Sequence, residues 1–226
     1  MDAVLDTART EAWLRALAAA VTAHEAELTA LDAAIGDGDH GSNLRRGFTA
    51  VLAALDAGAA GDSPGALLAT AGRTLISTVG GASGPLYGSA LRAAGKSLGG
   101  TAAGPAEVAG ALDAALAAVQ GLGGAQPGDK TMVDAFVPAA EAFRAAAGDG
   151  LPAAAQAAAA AAEQGARSTV PLVARKGRAS YLGPRSAGHL DPGAASTALL
   201  FATLAETVDP EWTPVPTGDG GARRDG

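Results

Sequence analysis

Between Asp32 and Asn43 the chain reads Asp-Ala-Ala-Ile-Gly-Asp-Gly-Asp-His-Gly-Ser-Asn. Three carboxylates, Asp32, Asp37 and Asp39, fall within eight residues, and Gly36, Gly38 and Gly41 separate or flank the last two. Glycine is costly inside a helix and useful where the backbone turns sharply. Like charges crowded in a tight loop repel unless a cation neutralises them. Clustered carboxylate oxygens suit hard divalent cations, Mg²⁺ above all where phosphates complete the shell. The plainer reading is a solvated turn, since Asp-Gly pairs are common turn formers. Against it stand the third acid on the preceding helix end and the His-Gly-Ser-Asn continuation. A calcium EF-hand is excluded. Its loop positions 1, 3, 5 and 12, counted from Asp37, are Asp37, Asp39, Gly41 and Phe48, and the last two offer no side-chain oxygen.

Other stretches carry polar chemistry. His40 can ligate a metal, contact a phosphate or cap the turn. Ser42 and Asn43 have the side chains of ordinary N-caps, and a helix starting there also aims free N–H groups at an anion. Gly80-Gly-Ala-Ser-Gly84 resembles an anion-cradling loop opening a helix. It is not a Walker A motif. The two nearest candidates, ending Gly95-Lys96-Ser97 and Gly128-Asp129-Lys130-Thr131, both miss the pattern, and neither follows a strand. The run from Arg175 to Arg185 is basic within an acidic protein, which suits a phosphate-bearing ligand if the loop lies near the aspartates. Asp191-Pro192-Gly193 reads as a helix start with Asp191 as N-cap.

The elements that position these residues are helices. The 226-residue chain is 48% hydrophobic but only 4% aromatic, so its core is built from Ala, Leu and Val. That composition favours close-packed helices. Trp13, Leu14, Leu17, Val21, His24, Leu28 and Leu31 recur at steps of three and four, which predicts a first helix over about 10–35. A second follows Ser42 or Asn43. Ser63-Pro64 starts a third and leads into the Gly80 loop. A fourth holds Leu86 to Leu98, and a fifth starts near Pro105. A sixth carries Met132 to Phe143, with Pro138 expected to kink or end it. A seventh, after Pro152, is almost pure alanine. A polar loop over about 171–191 precedes an eighth helix from Pro192. No segment shows a period of two. The expected fold is all-α, about eight antiparallel helices in up-and-down order. The loops after helices one, three, five and seven then share one rim. One domain over residues 1–208 is expected, with a loose tail from 209 to 226.

Net charge is −7, from 16 Lys and Arg against 23 Asp and Glu. This argues against a nucleic-acid partner, which needs a basic face. No cysteine is present, so thiolate chemistry and disulfides are excluded. The N-terminus shows no long apolar run, so no signal peptide or membrane span is expected, and the expected location is cytoplasmic.

Four stretches in order, residues 31–43, Gly80–Gly88, Gly128–Asp134 and Gly177–Gly193, resemble the nucleotide-binding L subunit family of bacterial dihydroxyacetone kinases, over about residues 10–205. The resemblance implies a barrel of eight antiparallel amphipathic helices with ADP or ATP at one rim. It implies two Mg²⁺ ions held by Asp32, Asp37 and Asp39 against the nucleotide phosphates. His40, Gly41, Ser42, Asn43, Ala82 and Ser83 would line the nucleotide. Gly124, Met132, Arg178, Asp191, Pro192 and Gly193 would complete the pocket, Gly124 being the weakest match because the loop before Gly128 varies. The sugar would sit on a separate K subunit, which also supplies any general base, so no catalytic base is assigned to this chain. In the phosphotransferase-system form an M subunit rephosphorylates bound ADP. Absence of a K-like half in this sequence favours that form over the ATP-dependent one.

Three rivals follow from the same residues. One is an ATP-dependent kinase subunit for another ketose such as erythrulose, since the partner selects the sugar. A second is a regulatory adaptor whose nucleotide reports phosphorylation state; some family members act on a transcription regulator. The third, a helical diphosphate enzyme of the terpene-synthase sort, needs an aromatic cavity, which 4% aromatics disfavours.

Overall fold

Nine α-helices make up nearly all the regular structure among the described residues, which are 3–58 and 61–213 of this computed structural model. α1 (Thr7–Ala23) begins where the Asp6 carboxylate accepts the Arg9 N–H. α2 (Glu25–Ile35) and α3 (His40–Asp56) flank the acidic loop. α4 (Pro64–Thr78) is capped by the Ser63 hydroxyl, which accepts the Ala66 N–H, with proline at the first helical position. α5 (Ser83–Ser97) follows the Gly80 loop, and α6 (Pro105–Gly123) ends on Gly124 in the left-handed conformation. α7 (Met132–Ala146) starts with a Thr131/Asp134 capping box. α8 (Leu151–Ser168) and α9 (Pro192–Val208) complete the set. Two-residue strands β1 (Leu5–Asp6) and β2 (Ala102–Ala103) pair antiparallel, too short to leave a periodic signal.

The all-α expectation holds. Helices packed on one another are mostly neighbours in sequence, α4 on α5 and α7 on α8 most extensively, and α9 returns to α1. All four phenylalanines of the chain, Phe48, Phe136, Phe143 and Phe201, are buried, and Phe136 meets Phe201 edge to face at 5.3 Å. The alanine run of α8 buries Ala154, Ala155, Ala158 and Ala162 completely, letting that helix lie close on α7 and α9.

α4 and α5 approach closer still. A methyl group on Gly72 would sit 2.5 Å from Gly88 O, and one on Gly88 2.6 Å from Gly72 O. Gly65 and Gly95 oppose one another in the same way, each 2.5 Å from the other's carbonyl oxygen. Four glycines at a spacing of seven on two antiparallel helices thus bring backbone against backbone.

Several boundaries differ from the expectation. The first helix is two helices, broken at His24, because His24 leaves helical geometry (φ −99, ψ 11) while its N–H still reaches Ala20 O. α3 starts at His40, not after Ser42 or Asn43. The Asp32 carboxylate, reaching over from α2, accepts the Asp39 and His40 N–H groups and does the capping. Ser42 instead donates to Asp39 O, and Asn43 accepts from Arg46. Pro138 does not end α7. The Asp134 carbonyl that it leaves without its usual donor lies against Gly165 of α8, where a methyl group would come within 2.3 Å. The polar loop before α9 contains 3₁₀ turns over Arg178–Ser186, interrupted at Gly183. Beyond α9, Trp212 packs on the core and Asp209 accepts from Gln156, so the chain is held to at least that point. Residues 214–226 of the expected tail lie outside the described residues. No described helix is long and apolar enough to cross a membrane.

Candidate functional site

The loops after α2, α4, α6 and α8 converge on one cavity of about 290 Å³. These are the four loops whose polar, glycine-rich composition marked them in the sequence.

Its acidic wall is the loop between α2 and α3. One carboxylate oxygen from each of Asp32, Asp37 and Asp39 lies within 4.8 Å of the other two. Asp32 is buried on α2. Its Oδ2 accepts the Asp39 N–H at 2.9 Å and the His40 N–H at 3.1 Å, while Oδ1 faces Gly36. Any side chain at Gly36 would place its Cβ 2.1 Å from that oxygen and so push the Asp32 carboxylate out of this position. Asn43 N–H closes on Asp39 O. The N–H groups of Gly41 and Ser42 are left without an acceptor among the described residues, at the positive end of the α3 dipole. Across the mouth, Arg178 Nε lies 3.0 Å from Asp37 Oδ2. Both side chains are solvent-exposed, so the pair adds little stability, but it brings the basic loop onto the acidic one.

The floor is a ladder of hydroxyls. His40 Nε2 lies 2.8 Å from Ser196 Oγ, which is 2.7 Å from Tyr87 Oη; Tyr87 also meets Thr197 Oγ1 at 2.9 Å and donates to Gly193 O. Burial pushes the Tyr87 phenol up to about 12, so it stays protonated. Desolvation holds the His40 imidazole below its ordinary range, and it is neutral at pH 7. Asp191 caps α9 by accepting the Ala194 N–H at 2.8 Å. Burial pushes its carboxyl up to about 7, partly opposed by the cap bond and by Lys130. Lys130 is itself buried, and its Nζ donates to Thr169 O at 2.6 Å and to His189 O. It is the one non-glycine residue with positive φ (60°) among the described residues. For an L-residue that conformation costs about 1–2 kcal/mol.

The structure brings most of the expected residues together. Asp32, Asp37, Asp39 and His40 line the cavity on one side, Ala82 and Ser83 on a second. Met132, Arg178, Asp191, Pro192 and Gly193 line the rest. Gly41, Ser42, Asn43 and Gly124 are not in its walls. Gly41 packs on α2, where a methyl group would come within 2.2 Å of Glu25 O. Asn43 is buried beside Arg46, and Gly124 stands in sequence between the lining residues Gly123 and Ala125, where an added methyl would lie 3.6 Å from Lys176 Nζ. Sequence reasoning missed the structural roles of Lys130 and Tyr87, and it missed the apolar lining by Leu86, Val119 and Val133. Tyr87 and Lys130 lie inside the noted motifs, but nothing local marks their bonds, since their partners stand 39 to 110 residues away. The cavity therefore joins an acidic end and helix-start donors to an apolar recess, with Lys176 and Arg178 at the lip.

Comparison with known proteins gives the same direction. The family profile described as DAK2 domain matches residues 34–206. The ADP-binding subunit DhaL of the PEP-dependent dihydroxyacetone kinase of Escherichia coli (strain K12) is 43% identical over 182 residues, covering 79% of this chain and 86% of that protein. The L-erythrulose 1-kinase of Mycolicibacterium smegmatis is 43% identical over 189 residues, covering 81% of this chain and 32% of that protein. Among solved structures, the dihydroxyacetone kinase from C. freundii in complex with AMP-PNP and Mg²⁺ superposes with a TM-score of 0.68 at 32% identity, covering 92% of this chain. This chain spans 35% of the length of that one.

Proposed function

The chain belongs to the DAK2 domain family, and on that premise we propose that it is the ADP/ATP-binding subunit of a dihydroxyacetone kinase. The observation that carries the reading is the meeting of the three aspartates with an apolar recess and a cationic lip in one cavity. A nucleoside di- or triphosphate has complementary parts: a flat base for the recess and a polyanionic tail for the acidic, metal-binding end.

The donor set fits magnesium. Three carboxylate oxygens are hard ligands, with no thiolate nearby, and three gathered anions need a cation. Asp32, Asp37 and Asp39 would hold two Mg²⁺ ions, which when bound neutralise and clamp phosphate oxygens. The chain's own residues do the positioning that phosphoryl transfer demands. Asp32 shapes the loop through its two backbone bonds. The α3 start and the Gly81–Ser83 turn offer groups to the phosphates, and His40 is held to the floor by Ser196. Arg178, paired with Asp37 at 3.0 Å, would turn to phosphate in a complex where Asp37 served as a metal ligand. Leu86, Val119 and Val133 keep water from the base.

The sugar has no site in this reading; a K subunit carries dihydroxyacetone, and an M subunit returns a phosphoryl group to bound ADP. The large exposed hydrophobics among the described residues, Ile76, Leu122, Val173 and Tyr181, all lie in or beside the loops at this rim, or in the last turn of α4 leading to it. Exposed apolar side chains gathered toward this end of the helices support partner docking there. The packing order of the helices supports an up-and-down barrel forming one domain, with the nucleotide at one end. The erythrulose kinase relative keeps a second ketose in view, because the substrate-selecting surface would belong to the partner. Titration calorimetry with MgADP tests the proposal: the wild-type chain binds and Asp37→Asn does not, with helicity equal by circular dichroism. Equal binding by both would refute the metal-dependent site.

A further inference from the structure

We propose that Lys130 is a positioning residue, its ammonium joining the two feet of the loop that carries Arg178 across to Asp37. The loop runs from the end of α8 to the start of α9, and its feet are Thr169 and His189. Lys130 Nζ donates to the carbonyl of each, at 2.6 Å for Thr169 and in a short bond to His189. Neighbouring bonds close the same stem. Gly188 N–H donates to Val170 O at 2.7 Å, Asp191 N–H to Thr169 Oγ1 at 3.0 Å, and Arg175 N–H to Asp129 O at 3.0 Å.

Two features mark this as more than packing. The residue is 1% exposed, against 7% or more for every other charged residue described, and burial disfavours its charge. Its backbone is also left-handed, a conformation that glycine or asparagine would take at less cost. Both penalties are met by what a charged multiple donor supplies, several N–H groups at the end of a flexible stem. The carboxylates of Asp134 and Asp191 supply the balancing charge. With two of its three hydrogens given to main-chain carbonyl oxygens, Lys130 acts on the ligand through the elements it ties together. It sets where Asp191, Pro192 and Gly193 sit on one side and where Lys176 and Arg178 hang on the other. The effect on ligand affinity rests on the nucleotide reading above; the effect on the loop does not.

The test uses the full chain and two variants. Lys130→Gly relaxes the left-handed backbone and removes the ammonium, whereas Lys130→Arg keeps a charged multiple donor. Hydrogen–deuterium exchange and MgADP titration are measured on each. In Lys130→Gly, amides of residues 170–190 should exchange at least about tenfold faster while α4 and α5 are unchanged, and MgADP affinity should fall by about tenfold or more. Lys130→Arg should recover most of both. Unchanged loop exchange in Lys130→Gly overturns the proposal. So does faster exchange throughout the helices in both variants, since Lys130 would then support the whole fold. Failure of the wild-type chain to bind MgADP would remove the nucleotide reading, and the loop exchange would still decide the role of Lys130.

Discussion

His40 Nε2 lies 2.8 Å from Ser196 Oγ, tying the start of α3 to the first turns of α9 across 156 residues of sequence. Ser196 Oγ also lies 3.0 Å from Pro192 O and 3.1 Å from Gly193 O within its own helix. Tyr87, on α5, meets the same serine oxygen. Three elements that each carry a cavity wall are thereby locked at one atom.

Removing that atom should be felt in the fold and in the site. Ser196→Ala leaves His40 and Tyr87 short of a partner in a buried place, a loss of about 1–3 kcal/mol. Thermal unfolding should show a lower Tm, and MgADP should bind more weakly. A variant with wild-type Tm and affinity would show that the ladder contributes nothing.

The close approach of α4 and α5 makes an unusual demand on glycine. Gly72→Ala gains about 1 kcal/mol of helix propensity but drives a methyl group to 2.5 Å from Gly88 O. Overpacking of about 1–3 kcal/mol should win, and urea denaturation should show net destabilisation. Gly110→Ala is the control, because Gly110 is an exposed position of α6 and nothing lies within 4 Å of its added methyl. It should stabilise by up to about 1 kcal/mol.

Asp191 gives the protein a pH dependence of defined sign. Its carboxyl is pushed up to about 7 from an ordinary 3.8. Between those values the folded chain keeps a proton that the unfolded chain has released. The group's favourable contribution is complete below the lower value and is lost as pH rises through the upper one. Asp191→Asn retains a capping side chain and cannot titrate. Its Tm should fall less than that of wild type between about pH 4 and pH 7. Parallel curves would place the carboxyl in ordinary surroundings.

Tyr181, 88% exposed beside Arg178, tests the docking face. Tyr181→Ala should raise the KM for the K subunit carrying dihydroxyacetone by about tenfold, the range expected of an interface anchor, and leave MgADP affinity unchanged. An unaltered KM would move the contact elsewhere on the rim.

Much of this was legible in the sequence because it is local. Ser63-Pro64 and Asp191-Pro192 announce helix starts by side chains that cap the next turn, and both do so. The aspartate loop is equally local, three carboxylates within eight residues. The break at His24 was hidden because Val21 and Leu28 continue one apolar stripe across it. The role of Lys130 was hidden for a deeper reason. Its acceptors are main-chain carbonyls, which every residue possesses, so the sequence 39 and 59 residues away carries no mark of them. The α4–α5 glycines are visible as a spacing of seven on each helix, but only the packed pair shows that each faces the other's carbonyl.

The central claim is that the carboxylates of Asp32, Asp37 and Asp39 seat a metal–nucleotide complex at the loop end of the helices. A crystal grown with ADP and Mn²⁺, with anomalous diffraction recorded for manganese, measures this directly. The account predicts manganese peaks bounded by those three side chains and by the diphosphate, with the adenine against Leu86 and Val133. Nucleotide lodged elsewhere, with the three carboxylates turned to bulk water and no manganese between them, would contradict it.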